Sequence, residues 1–117
     1  MALRYRKFKV YQDALELHRF IVKITKNFPK EFDYLKNQVR RAALSIILNI
    51  AEGSAKNSDK DFNRYLGNSL GSVDEVVAAC EVSLSEKLIS RQDFLELEKH
   101  SINISNQLGG FSKKLRS

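Results

Sequence analysis

The chain is poor in the residues that build stapled, metal-bound or membrane-spanning proteins. Its single cysteine excludes an internal disulfide and suits a reducing compartment, so a cytoplasmic location is expected. No run of about 18 apolar residues occurs, so no transmembrane helix and no membrane partner are expected. The opening "MALRYRKFKVYQ" is basic but has no apolar stretch behind it, unlike a signal peptide. The two histidines, His18 and His100, lie far apart without a companion Cys or His at ligand spacing, which argues against structural zinc. No phosphate-cradling glycine loop and no nucleophile elbow is present. Cys80 falls in an apolar helical stripe, where a thiol is inert. No cofactor, no metal and no enzymatic activity are therefore expected.

What is present is helical periodicity. Apolar residues recur at three- and four-residue spacing in four segments. The first runs Val10, Ala14, Leu17, Ile21, Ile24, Phe28. The second runs Leu35, Val39, Ala42, Ile46, Ile50. The third runs Phe62, Leu66, Leu70, Val73, Val77, Cys80, Leu84, Leu88. The fourth runs Phe94, Leu97, Ser101, Ile104, Leu108, Phe111, Leu115. Nothing alternates as a strand does. The only proline, Pro29, disfavours helix at Phe28. Ser58 and Ser90 are placed as N-caps, the latter with Asp93 in a weak capping box. Gly109 and Gly110 weaken the fourth helix near its end. Helices are expected over residues 8–27, 33–55, 59–88 and 91–115. Short connections make neighbours antiparallel. The 117 residues then form one all-α domain, an up-down-up-down four-helix bundle.

The second helix carries more than a core stripe. At about 100° per residue, Gln38, Arg41, Ser45, Asn49, Glu52 and Lys56 fall within roughly 80° of arc. The core stripe flanks this polar line on one side; Leu44, Leu48 and Ala51 flank it on the other. A second apolar face on a soluble domain marks an interface, so a homo-oligomer is expected. A hairpin turning near residue 57 sets residue i opposite about 114 − i by helical register. Arg41 is then level with Asp74 and Glu75, and Glu52 with Arg64, suggesting ion pairs that clamp the second helix to the third, within a subunit or between neighbours. Gly67 and Gly71, one turn apart, suggest close helix approach within or between subunits.

Net charge is +6, and it is uneven. Residues 1–57 carry 12 basic and 5 acidic side chains; residues 58–117 carry 8 and 9. In the expected topology both termini and the loop between helices two and three share one end. That end collects Arg4, Arg6, Lys7, Lys9, Lys56, Lys60, Lys113, Lys114 and Arg116. Such a patch can hold phosphates, and Tyr5, Phe8 and Tyr11 lie among the charges where they could stack on bases. Equally, Phe8 could be the first core residue of helix one. No helix-turn-helix, zinc-finger or RNP motif occurs.

The stretch "RRAALSIILNIAEGSAKNSDKDFNRYLGNSLGSVDEVV" resembles the signature of the four-helix bundle proteins encoded in 23S rRNA intervening sequences, also labelled S23 ribosomal protein. The matching residues are Arg41-Ala42, Ser45-Ile46, Asn49-Ile50-Ala51-Glu52-Gly53, Phe62 with Arg64-Tyr65-Leu66, Gly71-Ser72 and Glu75. "FKVYQDALEL" is similar to the family's opening and "NFPKEFDYLKNQVRRA" to its following F-P-x-E…L-x-x-Q-x-R-R-A segment, so the likeness spans nearly the whole chain. Ile47 departs from it, since many members carry proline there, and implies a straighter second helix. The resemblance implies assembly into a homopentameric ring. It also implies kinship with the basic accessory variability proteins of diversity-generating retroelements, which bind nucleic acid. The expected function is a non-enzymatic oligomeric scaffold that contacts RNA or DNA through its basic end. The alternative is a ring that adapts to an acidic protein partner.

Overall fold

A computed structural model describes residues 3–116. Four helices, α1 (Lys9–Thr25), α2 (Asp33–Ser54), α3 (Asp59–Ser85) and α4 (Arg91–Arg116), run up and down along a rod of 44 × 21 × 20 Å. Short 3₁₀ turns, Arg4–Lys7 and Lys30–Phe32, precede α1 and α2. Each helix packs on its neighbours in sequence, and α1 packs on α4 to close the bundle.

The helix ends follow local chemistry. Ser58 Oγ accepts from the Asp61 N–H at 3.1 Å, and Ser90 Oγ from the Asp93 N–H at 3.0 Å, each satisfying a donor that the first turn leaves free. Helix α3 ends three residues before the expected Leu88. Lys87 takes a left-handed φ of 62°, and the Leu88 N–H reaches back to the Ser83 carbonyl while the Lys87 N–H bonds Leu84. This is a Schellman closure with lysine where glycine is usual. Helix α4 continues through Gly109 and Gly110 to Arg116, because packing outweighs their poor propensity.

The four predicted stripes meet along the axis. Leu17, Ile21, Val39, Ile46, Ile50, Leu66, Leu97, Ile104 and Leu108 are fully buried. The buried face of α3 is broader than its apolar pattern, since Ser69, Ser72 and Ser83 also lie inside. Ser69 Oγ donates to the Ile46 carbonyl at 2.9 Å and Ser72 Oγ to Ser45 Oγ at 2.9 Å. Small hydroxylated side chains thus bring α2 and α3 close while satisfying their own polar groups.

Candidate nucleic-acid interface

Three phenylalanines close one end of the core. Phe111 lies edge-on to both Phe8 and Phe62, with ring centroids 5.1 Å apart in each pair, and Phe8 stacks on Phe62 at 6.2 Å. They tie the starts of α1 and α3 to the end of α4. Ser112 adds a hydrogen bond to Asn63. Because these contacts join the two chain ends to the α2–α3 turn, all nine predicted cations gather at this end.

Their circumstances differ. Arg4 Nε donates to the Ser54 carbonyl at 3.0 Å, and its guanidinium lies 5.3 Å over the Phe62 ring. A cation suits the carbonyl end of α2, so Arg4 closes a helix end. Lys9 is paired with Asp13 at 2.6 Å. Lys56 stands 3.9 Å from Glu52 and 5.1 Å over the Tyr65 ring. Arg6, Lys7, Lys60, Lys113 and Arg116 are exposed, and none of them forms an ion pair with another described residue. Lys114 is exposed beside them. A depression of about 600 Å³ lies between Arg4, Lys56 and Asp59, and another of about 640 Å³ between Gln107, Phe111 and Lys113. Asp59 and Asp61 suit the N-terminus of α3 and reduce the local positive charge; Arg64 takes up Asp61 at 4.0 Å.

The aromatics expected to stack on bases have internal partners. Phe8 belongs to the core-closing trio. Tyr5 and Tyr11 pack edge-to-face on each other at 4.8 Å. Asp13 accepts hydrogen bonds from Lys9, Asn103 and Gln107. Burial works against its ionisation, but these bonds outweigh that and hold its carboxyl below the ordinary range. It latches α1 to α4. Burial pushes the Cys80 thiol up to about 12, so the sulfur is protonated near neutrality. His100 bonds Glu96 at 3.2 Å within α4 and leans on Phe20.

The expected ion-pair clamp does not form within the chain. The register is close to that expected, but the faces are not. Gln38, not Arg41, bonds Glu75. Arg41 sits roughly 60° further round α2, exposed and without a partner among the described residues. Glu52 accepts from the Tyr65 hydroxyl at 3.1 Å; Arg64 turns to Asp61 and lies 4.8 Å over the Tyr65 ring. Tyr65 therefore stands where the second ion pair was expected. Ser45 and Asn49 do share one network, Asn49 donating to the Ser45 carbonyl at 2.9 Å. Gly67 and Gly71 are exposed, and a Cβ added at either meets open space, so neither brings helices together within the chain. Leu44 and Leu48 are 43% and 54% exposed, and Ala51 is half-buried.

Two residues to which the sequence assigned no structural role, Arg40 and Gly53, have defined ones. Arg40, next to Arg41, donates from Nε to Thr25 Oγ1 at 2.9 Å and from Nη2 to the Val22 carbonyl at 3.1 Å, binding the end of α1 to α2. Gly53 is the close-approach glycine. A Cβ there would stand 2.6 Å from Tyr65 Cβ and 3.0 Å from Phe62 Cδ1. Its place in "NIAEG", one turn before the helix-breaking loop, was the available signal. Among the described residues no group of three or more His, Cys, Asp or Glu is placed to hold a metal, and no helix is long and apolar enough to cross a membrane.

The family described as 23S rRNA-intervening sequence protein matches residues 6–110. No curated protein matches the chain. Among solved structures, a protein of unknown function from the S23 ribosomal protein family of Bacteroides thetaiotaomicron superposes with a TM-score of 0.82. It is 25% identical, over 89% of this chain and 95% of that one.

Proposed function

The chain belongs to the 23S rRNA-intervening sequence protein family, and from that premise we propose that it is a non-catalytic bundle that assembles with copies of itself and holds nucleic-acid phosphates at its basic end. The observation that carries this is the group of five exposed cations at that end, Arg6, Lys7, Lys60, Lys113 and Arg116, none of which is paired with a carboxylate among the described residues. Cations set aside from internal ion pairs are available for phosphates. A ring, five copies as the resemblance implies, multiplies them around one rim. The contact is to the backbone and independent of base sequence, because Phe8, Tyr5 and Tyr11 have internal partners and no base-reading motif is present. The work is that of a cytoplasmic scaffold. Leu44 and Leu48, exposed side by side on α2, support self-assembly.

Light scattering coupled to size exclusion, with and without a short random RNA, tests the reading. The expected species has a mass about five times the 13.4 kDa chain and carries RNA at low salt only. Five phosphate contacts per copy give a slope of log affinity against log salt of about −3.5 for a single strand. RNA binding that survives Arg6→Glu, Lys7→Glu, Lys60→Glu and Lys113→Glu together places the site elsewhere. An assembly indifferent to RNA at every salt turns the reading to a protein partner.

A further inference from the structure

The crevice between α3 and α4 is acidic, although the protein as a whole is basic. About 410 Å³ in volume, it is lined by Asp74, Glu81 and Glu98, with Ala78 and Ile102 between them. None of the three carboxylates forms an ion pair or hydrogen bond with any described residue. Ser101 lines the same crevice; it is 2% exposed and its hydroxyl has no partner. Thr25 and Ser83, also buried in helices, donate to the carbonyl four residues back; Ser101 does not. A buried hydroxyl without a partner is costly and rare, and this one borders a cavity. Ile102 is 55% exposed. The crevice therefore combines uncompensated negative charge, uncovered apolar surface and an unused hydrogen-bonding group.

The complementary set lies on α2 of the same chain. Arg41 is exposed and without a partner among the described residues, with Leu44 and Leu48 beside it. We propose that the α3–α4 crevice receives the Arg41–Leu44–Leu48 strip of a second copy, with the guanidinium among Asp74, Glu81 and Glu98 and the leucines against Ala78 and Ile102. The inference rests on the self-assembly reading and adds to it the two faces that meet. A leucine-bearing strip fits the apolar floor better than a small ammonium ion does. Because strip and crevice are different surfaces, each copy offers one of each. The contact is head-to-tail, the kind that closes into a ring when the rotation allows.

Charge exchange tests it. Arg41→Glu sets a carboxylate against three others; Asp74→Lys with Glu81→Lys sets lysines against Arg41. All three positions are exposed, so helix content by circular dichroism should stay at the wild-type level. Each variant alone should lose the oligomer at a concentration where wild type keeps it, and one chain carrying all three changes should regain it. Failure of that chain to regain the oligomer overturns the inference. Wild-type assembly that neither variant disturbs overturns it too, while leaving self-assembly standing; a wild type monomeric at every concentration removes both. Unchanged assembly, with spermine raising the melting temperature of wild type and not of Asp74→Lys/Glu81→Lys, would make the crevice a small-cation site instead.

Discussion

Arg40 and Arg41 are adjacent and chemically identical, yet their truncation should act on different equilibria, folding for the first and association for the second. Arg40→Ala removes two hydrogen bonds, at 2.9 Å to Thr25 Oγ1 and 3.1 Å to the Val22 carbonyl. A hydrogen bond to a charged group contributes about 1.5–3 kcal/mol. Thr25 keeps its own donation to Ile21 at 2.7 Å, and the last carbonyls of α1 can take water once Arg40 is gone. The combined loss is then about 2 kcal/mol rather than the sum of two full bonds. At a urea m-value of about 1.5 kcal/mol/M, the midpoint should fall by roughly 1.3 M. Arg41→Ala removes an exposed side chain with no internal partner and should shift subunit stability by no more than about 0.5 kcal/mol. Any further loss in Arg41→Ala belongs to association and should vanish on dilution, because oligomer stability depends on protomer concentration. Urea melts of both variants at several protein concentrations separate these terms. Equal, concentration-independent losses in the two variants would refute the assignment of separate roles.

Two more outcomes follow from the packing. Gly53→Ala forces a Cβ to within 2.6 Å of Tyr65 Cβ, so the start of α3 must shift; overpacking of this kind costs about 1–3 kcal/mol, visible as a lower melting temperature, whereas Gly67→Ala in open space should be neutral or stabilising. Asp13 has its pKa held below the ordinary 3.8, so its carboxylate stabilises the fold above that value, and this contribution is lost as pH falls through the folded pKa. In urea melts across acid pH, wild type should lose stability more steeply than Asp13→Asn, with the difference confined below about pH 5; parallel curves would mean that the latch to Asn103 and Gln107 does not depend on charge.

The legibility of this protein divides by length scale. Helix α2 was readable as a helix with a core stripe because Leu35, Val39, Ala42, Ile46 and Ile50 repeat at its period, and the same holds for α1 and α4. On α3 the pattern misled in part. Ser69, Ser72 and Ser83 are buried although polar, because their hydroxyls find acceptors that only the folded neighbour or the preceding turn supplies. That the starts of α1 and α3 meet the end of α4 was readable from topology alone. Which cations stay unpaired there was not, because Lys9 and Arg4 take partners from Asp13 and Ser54 through local geometry.

By itself, the sequence determined helix number, the capped starts of α3 and α4, and antiparallel order. These depend on apolar period, on Ser58 and Ser90 as caps, and on short connections, all of which act between residues near one another in the chain. Only the tertiary structure decided which of two neighbouring arginines binds α1 and which faces outward, which glycine lets helices touch, and that carboxylates from two helices, Asp74 and Glu81 of α3 and Glu98 of α4, line one crevice. Those outcomes turn on rotations of a few tens of degrees about a helix axis, a scale at which spacing along the chain carries no information and the packing of neighbouring helices carries all of it.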